Sequence, residues 1–453
     1  MDYMSDTYIK KNSTINYTNV KVKNRTINFF IYIILFFLFI YSPPFKFLPF
    51  GPIKLVALYS YIGLLTFFAK DSKKIYQQKT IFFVIILYLV SLLYSIIIDV
   101  MSTNIYNESY NNLLFFIEIL PISIFLSIYA IKNLNATFED VLSIIVIMGI
   151  IQSIIAIFEF IFPEIKGIIM ENILKYAEVD AKIMRSDLYF RGFGFSSGYL
   201  FSFPISQGIS FIAALILSFK KRYIYLLSTP FILFSIGVNA RIGYVVIIIF
   251  FAIIFFIYFL ETLKLRFNRE IFLVVLVIIL VTFLCYKLFF INLKLPLLDK
   301  ITEWNYKGYL NFLDTISGKG SSGTLDILLK YHLFFPKGLF GMLFGEAKYV
   351  FGPGSTIHHS DIGYIRLLFY GGIFYSLLKY GSFAYLFFKS IILRKKEKYI
   401  VLFLSSIFVG IMVVQFKGNI FSSNPAFRLV FFIFIFVLVE KKIKPSFKNT
   451  KNY

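Results

Sequence analysis

One cysteine, one tryptophan and three histidines stand in 453 residues, and Asp and Glu together number only 24. The cysteine, Cys285, lies in an apolar run, so it forms no internal disulfide and offers no zinc-ligand spacing. No metal-ligand cluster stands out, and so few acids argue against an ion-driven pump with buried carboxylates. Charged residues of both signs make up 15%, where an ordinary soluble domain carries roughly 25%. With 58% apolar residues and a mean hydropathy of +0.78, the composition excludes a soluble globular protein. The unit of organisation is the membrane span.

Residues 1–27 are polar and read as a cytoplasmic tail, because the apolar run that follows starts too late and lasts too long for a cleavable signal peptide. Apolar runs long enough to span a bilayer fall near 28–47, 52–69, 80–98, 112–131, 140–163, 199–218, 223–239, 241–261, 270–291, 362–388, 399–416 and 425–440. The expected fold is therefore an all-α polytopic membrane protein of about twelve transmembrane helices. Helices 1–9 occupy 28–291 with an outer loop at 164–198, and a large extracytoplasmic loop covers 292–361. Helices 10–12 occupy 362–440, and 441–453 is a second cytoplasmic tail. The first pair of spans is the weakest, since Pro43, Pro44, Pro49 and Pro52 crowd its turn.

The net charge of +22 would point to nucleic acid in a soluble protein. In a membrane protein it is expected at cytoplasmic connections, so no nucleic acid is implied. The basic residues do alternate along the chain, in the clusters at 70–79, Lys132, 220–222, 264–269, 394–398 and 441–444, whereas the connection at 99–111 carries only Asp99 and Glu108. Both termini are expected in the cytoplasm. The large loop, with Pro, Gly and short apolar stretches such as GLFGMLF, is the expected seat of chemistry, its apolar pieces forming short amphipathic helices on the bundle top.

Topology leaves the outer-face cations unexplained: Arg185, Arg191, Arg241, Arg366, Lys417 and Arg428. Cations at the outer boundary are costly unless they are paired, snorkel to lipid phosphates or face a polar cavity. Guanidinium groups match phosphate oxygens bidentately, so a cluster of them suits an anionic lipid headgroup such as a lipid-linked pyrophosphate. Two of the three histidines, His358 and His359, precede Ser360, Asp361, Tyr364 and Arg366 in HHSDIGYIR. Ser360 or Asp361 could cap a helix starting there. From such a start, His359, Gly363 and Arg366 share one face, and a histidine beside arginines can remove a proton from a hydroxyl. Gly318, Gly320 and Gly323 satisfy GxGxxG, but no βαβ unit precedes them, so no dinucleotide site is expected.

With these residues assembled, the chain resembles the bacterial O-antigen polymerase and O-antigen ligase superfamily. RGFGFSSG at 191–198 is similar to the arginine–glycine motif of that family's first long outer loop, NARIGYV at 239–245 to its second arginine, and HHSDIGYIRLLFYGG at 358–372 to the histidine-led end of its large loop. LFFPKGLFGMLFG at 333–345 is similar to the stretch before that segment. The resemblance implies a GT-C type, metal-independent, inverting glycosyltransferase of the bacterial plasma membrane, with no cofactor and its site on the periplasmic face. Its donor and acceptor would be glycans on undecaprenyl diphosphate in lipopolysaccharide or capsule biosynthesis, with a chain-length regulator and a flippase as further partners. It implies Arg191, Arg241, His359 and Asp361 as catalytic residues, and His358, Tyr364, Arg366, Lys417 and Arg428 as substrate-binding ones. Relatives often carry an arginine in mid-loop, where this chain has Thr324. A ligase that transfers the glycan to lipid A core, or a flippase for lipid-linked oligosaccharides, are the alternatives.

Overall fold

Continuous apolar runs with few breakers dictate helices, and helices are what form. The computed structural model describes residues 25–102, 108–174, 191–198, 201–262, 328, 330–351, 359–422 and 424–444, with 303, 306, 307 and 310. The first part holds α1 (Arg25–Tyr41), α2 (Pro52–Leu65), α3 (Ala69–Tyr76), α4 (Lys79–Met101), α5 (Glu108–Asn133), α6 (Phe138–Ile161) and the short α7 (Pro163–Ile168). Then come α8 (Ser202–Phe219), α9 (Tyr223–Asn239), α10 (Ile242–Thr262), α11 (Gly338–Phe344), α12 (Gly363–Arg394), α13 (Lys398–Val414) and α14 (Pro425–Ile443). Among the described residues there is no strand, only one isolated bridge from Phe45 to Leu174.

The all-helical, membrane-embedded character expected from composition holds. Among the described residues four helices, α4, α5, α6 and α8, are long and apolar enough to cross a membrane, and α2 with α3 would make a fifth if a bent pair counts as one span. Helices α1, α9 and α13, and the stretch Ile242–Ile257 of α10, are apolar but shorter. The run expected as one span at 52–69 is not a straight helix: the chain turns by 99° between α2 and α3. Fourteen residues of α2 give about 21 Å, short of a hydrocarbon core of about 30 Å. The expected span at 28–47 ends early as well, where Ser42 takes a positive φ just ahead of Pro43 and Pro44. The run at 270–291, Arg185, the GxGxxG glycines and Thr324 lie outside the described residues.

The centre of the bundle is α8 with α14. Every residue of α8, and Pro425 to Glu440 of α14, is buried, as expected of helices apolar on all sides. Small residues bring the backbones together: a Cβ on Gly208 would stand 2.6 Å from the Gly243 carbonyl, and one on Gly243 only 2.3 Å from that of Pro204. Helix α4 lies at the periphery, with Leu93, Ile97 and Val100 facing outward.

The described connections rich in Lys and Arg, at 70–79, 132, 220–222, 394–398 and 441–444, gather at one end of the bundle. There Lys220 and Arg222 pair with Glu139 at 2.5 and 3.3 Å, Lys444 donates to the Ala136 carbonyl at 2.8 Å, and Arg394 bonds Glu440. The opposite end brings together the C-terminus of α1, the segment 191–198, Asn239, and the junctions before α12 and α14. That second end carries the site.

Candidate functional site

The RGFGFSSG segment is an irregular strap pressed onto the helix ends. Glu159, buried near the end of α6, takes the amides of Phe193 and Gly194 on one carboxylate oxygen, at 2.7 and 2.9 Å. Gln152, two turns earlier, accepts from the Phe195 amide at 2.9 Å and donates to its carbonyl at 2.7 Å. Asn239 donates to the Gly192 carbonyl at 2.7 Å, tying the strap to the end of α9. Glycine is required at 192, where a Cβ would sit 2.1 Å from the Ala156 carbonyl, and favoured at 194, where φ is +63°. The amides of 193–195 are thus already consumed. Any anion bound here is held by side chains and not by a backbone cradle.

Those side chains are cationic. Lys166, buried in α7, donates to the Arg191 carbonyl at 2.7 Å and lies 4.4 Å above the Phe193 ring. Arg191 and Arg241, on the strap and at the start of α10, come close enough that burial first and the Arg241 charge second push the Arg191 guanidinium down to about 10. Burial lowers the Lys166 ammonium to about 8, Glu159 pulling it back up and Arg191 pressing it further down. Lys166 thus lies between Arg191 and the Glu159 carboxylate, which is already bonded to two amides. Guanidinium and ammonium groups gathered in this way suit phosphate oxygens.

The second half is built on the junction before α12. Helix α12 starts at Gly363, not at Ser360, and neither Ser360 nor Asp361 is its N-cap; that position belongs to Ile362, without a side-chain cap. The hydroxyl of Ser360 donates to the His332 carbonyl at 2.7 Å and accepts from the Ile362 amide at 3.2 Å. Freed from capping, the Asp361 carboxylate takes His359 Nε2 on one oxygen at 3.0 Å and Lys417 on the other at 3.4 Å. Burial raises the Asp361 carboxyl, but Lys417 and the His359 contact outweigh it and hold it below its ordinary value. With Nε2–H directed at Asp361, Nδ1 of His359 carries the lone pair and is the atom that can accept a proton.

His359 therefore does not share a helical face with Arg366; the ring of Phe351 links them instead. The Arg366 guanidinium lies 3.3 Å over that ring, whose centroid is 5.0 Å from that of His359. Arg366 also donates through Nε to the Ser360 carbonyl at 3.1 Å. Sequence reasoning missed His332, whose Nδ1 accepts from the Asp361 amide at 3.1 Å and whose ring stands 5.7 Å from that of His359. The available signal was that it is the chain's third histidine. Lys166 and Glu159 were also missed; the signal there was an acid inside an apolar run. Glu159, Glu108 and Glu440 are all buried, so scarcity of acids did not keep carboxylates out of the interior.

Two expected binding residues are engaged by the protein itself. Tyr364 donates to the Met412 carbonyl at 2.6 Å and packs on Tyr380 and Phe416. Arg428, fully enclosed, donates to the Phe39 carbonyl at 2.7 Å and to Ser197 at 3.1 Å, joining α14 to α1 and to the strap. His358 lies outside the described residues. Beside the second cluster, the ring of Phe201 packs on Gly418 so tightly that a Cβ there would be 2.5 Å away. Gly418 adjoins Lys417. No family model matches the chain, no curated protein matches its sequence, and no solved structure matches its fold.

Proposed function

We propose that the chain is a glycosyltransferase that polymerises repeat units carried on undecaprenyl diphosphate, at the outer face of the bacterial plasma membrane. The observation that carries this reading is the pairing of two different chemistries at one bundle end. Lys166, Arg191 and Arg241 gather at the strap, and His359 is bonded to an Asp361 carboxylate that also pairs with Lys417. The proposed topology is the one with twelve spans, both termini in the cytoplasm, a GT-C type architecture and the large loop outside.

In this mechanism the cations hold the donor diphosphate and stabilise the charge that develops on it as the anomeric carbon–oxygen bond breaks. The acceptor hydroxyl forms the new glycosidic bond from the opposite face while its proton passes to His359 Nδ1, and lipid diphosphate leaves with inversion. Asp361 fixes the imidazole tautomer and stabilises the cation that forms. Arg366 and Lys417 contribute positive charge on the acceptor side.

The test is extension of a lipid-linked repeat unit by the purified protein in proteoliposomes without any nucleotide sugar. Arg191→Ala, Arg241→Ala and His359→Ala are each expected to lower extension at least about 100-fold, the scale of a lost general base or charge stabiliser. Normal extension by Arg241→Ala would sink the donor-site assignment. A transporter is favoured by one observation, the buried pair of Lys379 and Glu108 at 3.8 Å within the helical bundle. Movement of the glycan lipid across the bilayer with no lengthening would establish that reading instead.

A further inference from the structure

The part of the large loop that leads into α12 turns its apolar side chains outward. Leu339 is 78% exposed and Phe340 75%, and Tyr331, Phe335, Leu343 and Phe344 are exposed beside them. Within α11 only Gly341 is buried. A patch of this kind in water would be a liability, and its occupant is indicated by where the helix is fastened.

Tyr94 of α4 donates its hydroxyl to the carbonyls of Phe344 and Gly371, at 3.0 and 3.2 Å. Beyond α11, the Glu346 amide donates to the Phe369 carbonyl at 2.8 Å. Gly345 and Gly372, both at positive φ, let the two backbones touch: a Cβ on Gly372 would be 2.3 Å from the Leu343 carbonyl. Tyr94 lies two turns before Met101, the last residue of α4, so its backbone is about 10 Å below that helix end. Helical side chains lean toward the N-terminus, so its hydroxyl is no nearer the end than its Cα. The C-terminus of α11 is thus held below the rim of the bundle, beside the outward-facing Leu93, Ile97 and Val100 of a helix long and apolar enough to cross a membrane. The apolar face of α11 continues that lipid-facing belt. Lys330 and Lys337, both exposed, flank it where ammonium groups can reach phosphates.

We infer that α11 is a wedge seated in the bilayer, its apolar face among the acyl chains and its flanking lysines at the phosphates of the same leaflet. The partner is membrane phospholipid. Because His332 lies shortly before α11 and is bonded to Ser360 and Asp361, the wedge also ties the histidine cluster to headgroup level.

The inference is independent of any enzymatic activity and is tested without an activity assay. In a Cys285→Ser background, Phe340→Cys labelled with an environment-sensitive fluorophore is reconstituted into vesicles of phosphatidylcholine and phosphatidylglycerol. Leu93→Cys serves as the lipid-facing reference, and Leu339→Cys as a second probe of the wedge. Quenching by acyl-chain bromolipids to the extent seen at position 93, with protection from iodide, is the expected result at both 339 and 340. Quenching by iodide would place the face in water, and protection from both quenchers would mean that a protein segment or a second copy covers it; either result overturns the wedge.

Discussion

Lys166 shows how a single side chain carries local consequences that its sequence neighbours do not announce. Its ammonium sits among Glu159, Arg191 and the Phe193 ring, and burial lowers its pKa to about 8. A lysine whose folded value is depressed binds fewer protons folded than unfolded, so between about 8 and its ordinary 10.5 the protein gains stability as pH rises. The charge available to a bound anion falls over the start of the same window. Affinity for a diphosphate lipid is therefore expected to weaken as pH passes about 8, and Lys166→Arg, which stays charged, should move that decline upward. Titrating lipid binding to both proteins from neutral to alkaline pH checks it; coincident curves would remove Lys166 from the binding charge. Arg191, Arg241, His359 and Asp361 were legible as candidates because cations and histidines are conspicuous in an apolar chain. Arg428 was equally conspicuous, and only its bonds to Phe39 and Ser197 reveal a strut.

At the scale of elements, helices were legible from apolar runs, but their breaks were not. The 99° turn between α2 and α3 falls inside an apolar run, and the kink of α12 at Gly372 accompanies a tertiary contact that no local pattern records. Gly372 is favoured twice over, by its φ of +69° and by the Leu343 carbonyl that occupies the space a side chain would need. Gly372→Ala is expected to cost at least about 2 kcal/mol through the positive φ and the clash. Gly381→Ala in the same helix faces open space and is expected to be neutral or stabilising by up to about 1 kcal/mol. Thermal unfolding of both variants in detergent provides the comparison, and equal midpoints would mean that the kink carries no strain against substitution. The helix start at Gly363 likewise could not be read from HHSD, since Ser360 and Asp361 are good capping residues wherever they are not claimed by His332, His359 and Lys417.

For the whole molecule, the alternation of basic connections along the sequence becomes a spatial separation of the two bundle ends. If the basic end is cytoplasmic, cysteines introduced at Lys132 and Lys221 in a Cys285→Ser background should resist a membrane-impermeant thiol reagent added to intact cells. One at Lys348 should react; the opposite pattern would invert the protein and place the candidate site in the cytoplasm.

Composition and the order of charges determined by themselves that this is a helical membrane protein, because the cost of exposing polar backbone to lipid leaves an apolar chain of this kind little else to form. They also determined which residues are rare enough to be candidates. Only the tertiary structure decided which of them meet. The strap at 191–198 reaches Lys166 and Arg241, His359 reaches His332 and Asp361 reaches Lys417, through contacts between segments far apart in sequence, whose geometry is set by close packing of glycines and buried carboxylates against helix ends.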